Sequence, residues 1–80
     1  MWVKVMTTIF SLNSPPDILI SRPYDNLETC YALMDNLYED LSRGKRAKVE
    51  FKLNNKNEKY LLVIWNSEPD YRVYHTCEEL

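Results

Sequence analysis

Arg46-Ala47-Lys48-Val49-Glu50-Phe51-Lys52-Leu53, Asn54-Asn55-Lys56-Asn57 and Glu58-Lys59-Tyr60-Leu61-Leu62-Val63-Ile64-Trp65 are twenty consecutive residues that decide the fold. The first block alternates without error, with Ala47, Val49, Phe51 and Leu53 on one side and Arg46, Lys48, Glu50 and Lys52 on the other. Strict alternation is the mark of a half-buried strand. The Asn-rich block reads as a hairpin loop, four residues long when Leu53 pairs with Glu58. The third block is apolar on both faces over Tyr60–Trp65, as expected of a central strand.

Outward from the hairpin, the other elements follow the same rules. Trp2 to Phe10 is rich in β-branched and aromatic residues and alternates Val3, Val5, Thr7 and Ile9 against Trp2, Lys4, Met6, Thr8 and Phe10, which predicts a strand. Asn13-Ser14-Pro15-Pro16-Asp17 is a turn cluster, and Ile18-Leu19-Ile20 is a short strand ended by Arg22-Pro23. Over 26–42, Leu27, Cys30, Met34, Leu37 and Leu41 recur at helical spacing. Asp25 with Glu28 suggests a capping box at its start, and Gly44, the one glycine, suggests a left-handed cap at its end. After the turn Asn66-Ser67-Glu68-Pro69-Asp70, Tyr71 to Thr76 predicts a last strand. The expected fold is α+β, one domain over 1–80 in the order β-β-α-β-β-β, a mainly antiparallel sheet with the 26–42 helix on one face.

Composition narrows the function classes. The 80 residues are 45% hydrophobic and 28% charged, which excludes a disordered chain. No apolar run approaches the roughly 20 residues of a membrane span, and MWVKVMTTIFSLNS carries Lys4 within its apolar stretch and no small-residue cleavage site, so the expectation is neither a membrane protein nor a secreted one. The expected compartment is the cytoplasm, where Cys30 and Cys77 stay as free thiols; a Cys30–Cys77 bridge is the alternative for an exported chain.

Charge is segregated. The net charge is −2, yet residues 25–42 carry Asp25, Glu28, Asp35, Glu39 and Asp40 without a base, and residues 43–59 carry seven bases against Glu50 and Glu58. Such a dipole steers charged partners. With Leu53 opposite Glu58, one hairpin face carries Ala47, Val49, Phe51, Tyr60, Leu62 and Ile64, which the helix covers. The other face then shows Leu61, Val63 and Trp65 beside Arg46, Lys48, Glu50, Lys52 and Lys59, with Arg46 opposite Trp65. One helix cannot cover both faces of a sheet. Either the first strand or the C-terminal segment folds across that stripe, or the stripe is an interface, since apolar patches rimmed by charge mark partner sites. In the second case Trp65→Ala leaves the fold intact and removes binding.

The expected function is therefore a non-enzymatic protein-binding module that docks on a larger protein and inhibits or modulates it by steric occlusion. Its partner-binding residues are Arg46, Lys48, Lys52, Leu61, Val63 and Trp65, and Glu28, Asp35 and Glu39, which lie within about 40° of one another around the helix, form a second surface. The same basic 43–59 hairpin supports an alternative, nucleic-acid binding by phosphate contacts and aromatic stacking, although the net charge is negative and no Lys/Arg-Gly-Phe signature occurs. A homo-oligomer, acidic helix against basic hairpin, is a third use of the dipole.

Catalysis has little to stand on. His75 and Cys77 share a strand face, but no Gly-rich loop, HExxH or nucleophile elbow is present. No metal and no cofactor are expected. In size and composition the chain is similar to the small, glycine-poor, aromatic-rich proteins with which bacteriophages bind host machinery, a likeness no motif carries; it implies a host protein as partner and the host cytoplasm as location.

Overall fold

The computed structural model describes residues 1–10, 13–67 and 70–80. Its elements are β1 (Trp2–Ile9), β2 (Asp17–Ile20), α1 (Leu27–Arg43), β3 (Ala47–Leu53), β4 (Lys59–Trp65) and β5 (Tyr71–Glu79). The strands form one antiparallel sheet in the order β2-β1-β5-β4-β3, with α1 on one face. This is the α+β fold and the element order that the alternation and the helical spacing predict. The last strand is the central one, between β1 and β4. Of the expected turn at 66–70, Glu68 and Pro69 lie outside the described residues; Ser67 N–H bonds the Asp70 carboxylate at 3.2 Å.

Helix α1 begins one residue later than a cap at Asp25 requires. Asn26 is the N-cap, and its side-chain oxygen accepts the Thr29 N–H at 2.8 Å. Asn and Asp cap equally well, so sequence pattern alone does not separate neighbours. Gly44 ends the helix with φ −89°, in extended rather than left-handed backbone, and its N–H bonds Leu41 O at 3.2 Å. The expected left-handed cap is not used.

The hairpin register differs from the expected one by a single residue, with large consequences. Leu53 pairs with Lys59, Phe51 with Leu61, Val49 with Val63 and Ala47 with Trp65. The loop is closed by Asn54 N–H on Glu58 O at 3.0 Å, and Asn57, at φ 60°, bonds Asn54 O at 3.0 Å. This is a three-residue turn whose last residue is left-handed, a conformation Asn adopts more readily than other residues that carry a Cβ. Asn54 fixes it further, its Oδ1 accepting Lys56 N–H at 2.8 Å and Glu58 N–H at 2.9 Å. A one-residue slip in pairing exchanges the two faces of a strand.

Leu61 and Val63 are therefore fully buried under α1, not exposed, and Trp65 packs at the edge of the same core. Cys30, Met34, Val73 and Cys77 complete the buried cluster, with Phe51 stacked on Tyr38 at a 4.9 Å ring separation. Each large apolar side chain withdrawn from water contributes about 1.5–3 kcal/mol. The uncovered face has the opposite phase. It carries half-buried Tyr60 and Ile64 of β4, with Leu62 buried between its neighbours, beside Lys48, Glu50 and Lys52 of β3 and Arg72 and Tyr74 of β5. One helix does leave one sheet face open, but the residues on it are not those that pairing Leu53 with Glu58 predicts.

The thiols are not free. Cys30 of α1 and Cys77 of β5 form a disulfide with Cα atoms 6.1 Å apart. Both lie on the covered face, so the helix and the central strand are tied covalently through the core.

Candidate functional site

A groove opens between the C-terminal half of α1 and the sheet. Its floor is a row of aromatic rings from three adjacent strands. Trp65 and Tyr71 are cross-strand partners whose rings lie 6.2 Å apart and nearly parallel, and Phe10, just past β1, lies 5.3 Å from Tyr71. Leu37 and Leu41 form the helix wall. The deep end is Met6, Thr8, Val73 and His75, and the cavity holds about 370 Å³. That volume lies in the range of sites that take small ligands or a single large side chain.

The period of two along β5 places Tyr71, Val73 and His75 in this groove, and the period of two along β1 places Met6, Thr8 and Phe10 there. None of these is among the binding residues expected from the sequence, where strand phase alone groups them. His75 is buried, and its Nδ1 has no hydrogen-bond partner. Burial, with a smaller contribution from the Lys4 charge, lowers its pKa from 6.5 to about 4, so the ring is neutral at pH 7. Its sequence neighbour in the Cys/His pattern, Cys77, is held in the disulfide and has no thiolate to activate.

Trp65 and Leu41 also line a second depression of about 260 Å³, bounded by Asp40, Lys45 and Arg46. The indole thus separates an apolar groove from a mainly basic rim. Arg46 does not stand opposite Trp65: Ala47 does, and the Arg46 carbonyl accepts the Asn66 N–H at 3.0 Å. Arg46 nevertheless stays beside the indole and exposed.

The other expected partner-binding residues are scattered by the register. Leu61 and Val63 are core. Lys48 and Lys52 are on the open face, both paired with Glu50, at 3.2 and 3.7 Å. The Lys48 hydrogen bond and charge, followed by Lys52, hold the Glu50 carboxyl below its usual range. On the helix, Glu28, Asp35 and Glu39 are exposed, and Asp35 pairs with Lys59 at 3.2 Å. Lys59 also lies over the Tyr31 and Phe51 rings, 5.0 and 4.6 Å from their centroids. Part of the charge dipole is therefore neutralised within the molecule.

The open face has its own aromatic pair. Tyr60 and Tyr74 lie 6.2 Å apart, and Lys52 is the cross-strand partner of Tyr60. Among the described residues, no group of three or more His, Cys, Asp or Glu gathers in a metal-holding arrangement, and no helix is long and apolar enough to cross a membrane. No family model, no curated protein and no solved structure matches this chain.

Proposed function

We propose that the protein is a non-enzymatic binding module that docks on a larger protein and modulates or inhibits it by occupying that protein's surface. The observation that carries this reading is the aromatic row Phe10–Tyr71–Trp65, open to the groove on one side and bordered by Lys45 and Arg46 on the other. Aromatic pockets beside an Arg are the usual centres of binding energy in protein interfaces. The partner segment that fits has an apolar or aromatic anchor for the groove and acidic residues for the rim. Specificity comes from the anchor, and the basic rim sets orientation and on-rate. The partner is a host protein if the chain is phage-encoded.

Cytoplasm is the compartment expected from the sequence. The Cys30–Cys77 bond favours an oxidising compartment instead, because thiols in a reducing cytosol stay free. Burial of both sulfurs shields the bond from reductants, which is how it would persist in a host cytoplasm.

A second reading rests on the open face. Tyr60 and Tyr74 with Lys48, Lys52 and Arg72 resemble a stacking platform for single-stranded nucleic acid. Glu50, wedged between the two lysines, weakens the field that phosphates need.

The two readings separate in one capture experiment from bacterial lysate, with and without nuclease and high salt, using wild type, Phe10→Asp, Arg46→Glu and Tyr60→Ala. The groove reading expects one stoichiometric protein that survives nuclease and salt, is depleted at least tenfold by Phe10→Asp and Arg46→Glu, and is unchanged by Tyr60→Ala. Material lost on nuclease treatment and on Tyr60→Ala supports the nucleic-acid reading and removes the first.

A further inference from the structure

The two edges of the sheet are treated differently by the sequence. Edge strand β3 carries Lys48, Glu50 and Lys52 at alternate positions, the charged guard that discourages strand addition. Edge strand β2 has none between its ends: Ile18, Leu19 and Ile20 are 57, 61 and 65% exposed.

The hydrogen-bonding groups of β2 are also partitioned. Ser21 N–H bonds Lys4 O at 2.9 Å, and Leu19 pairs with Met6. Inward and outward groups alternate along an antiparallel strand. Leu19 therefore directs its N–H and C=O to β1, and Ile18 and Ile20 direct theirs away from the sheet. We propose that this edge pairs antiparallel with the β2 edge of a second copy, about a two-fold axis at Leu19.

A two-fold axis perpendicular to the sheet places Ile18 opposite Ile20 of the second copy, and Ile20 opposite its Ile18. Those are the residues whose outward groups are unpaired in the single chain, so each pair exchanges two hydrogen bonds. Leu19 meets its own counterpart. Asp17 falls opposite Ser21 of the copy, so no like charges meet at either end of the seam. The stretch Asp17–Ser21 is thus self-complementary when reversed about Leu19, as an isologous contact requires. Pro16, opposite Arg22 of the copy, ends the pairing on each side by symmetry, since proline has no N–H to add. Four isoleucines then form one cluster on the open face, continuous with Val5, the cross-strand partner of Ile20. The contact is short, so it belongs with the small, concentration-dependent interfaces. It adjoins β1, whose Met6 and Thr8 line the groove, but the seam's own hydrogen-bonding residues, Ile18 and Ile20, are not groove residues, so it does not rest on the docking reading.

Sedimentation equilibrium of the wild-type chain from about 10 μM to about 1 mM, a span set by weak association, tests this directly, with amide hydrogen exchange read on the same samples. The expected result is a mass rising from 9.6 kDa towards twice that value. Over the same range the Ile18 and Ile20 amides become protected several-fold, in step with the falling monomer fraction, Leu19 being protected throughout, and Ile20→Lys remains monomeric. A single-chain mass at every concentration overturns the proposal. So does a dimer in which the Ile18 and Ile20 amides stay unprotected, because its seam lies elsewhere.

Discussion

Phe51 stands opposite Leu61 across the β3–β4 hairpin, and this pairing determines which residues are available for function. With Phe51 opposite Tyr60 instead, Leu61, Val63 and Trp65 would face solvent and Tyr60, Leu62 and Ile64 would lie under the helix. Leu61→Ala is therefore a core truncation and should cost about 2–5 kcal/mol. Tyr60→Ala, on the open face, should cost clearly less. Urea unfolding of the two variants checks the order, and a larger loss for Tyr60→Ala would mean the other register.

The register is held by the loop. Asn57 sits at φ 60°, where a β-branched residue clashes with the backbone. Asn57→Val should destabilise by about 1–2 kcal/mol, and Asn57→Gly should be close to neutral. Thermal unfolding distinguishes them; equal stability of the two variants would show that the loop does not use a left-handed residue.

Reduction of the Cys30–Cys77 bond releases a constraint between residues 47 apart in sequence. A small domain should lose about 2–4 kcal/mol, chiefly because the unfolded chain regains freedom. Wild type with and without a strong reductant, compared with Cys30→Ala/Cys77→Ala, gives the measurement. Identical melting with and without reductant, in a sample shown by thiol titration to be fully reduced, contradicts the cross-link's role.

His75 makes stability depend on acid. Its pKa is 6.5 when unfolded and about 4 when folded, so between those values the unfolded chain holds a proton that the folded chain does not. Stability should be complete above pH 6.5 and should fall as the pH is lowered towards 4, by at most about 1.4 kcal/mol per pH unit. His75→Phe should flatten that part of the profile. An unchanged acid limb in the variant would assign it to the carboxylates.

Much of the fold was legible in the residues themselves. Alternation in Ala47–Leu53, helical spacing from Leu27 to Leu41 and β-branched runs at both ends suffice for β-β-α-β-β-β. Strand order was not, because nothing local says that β5 enters between β1 and β4. The site was legible only in part. Trp65 and Arg46 do meet at one rim, but pairing Leu53 with Glu58 rather than Lys59 assigns Leu61 and Val63 to the wrong face. The signal was present in Asn54 and Asn57, one suited to accept loop amides and the other to a left-handed turn. The groove residues Phe10, Tyr71 and His75 needed three strands brought side by side before they had any common meaning. The disulfide likewise needed the helix laid across β5.

The most direct test of the docking groove is site-specific photo-crosslinking in lysate, with the reactive group at Phe10 in one sample and at Tyr60 in another. The groove reading predicts one protein adduct of defined mass from position 10, formed equally in nuclease-treated lysate, and none from position 60. Adducts from position 60 alone, whether to protein or to nucleic acid, would contradict it and move the functional surface to the open face of the sheet.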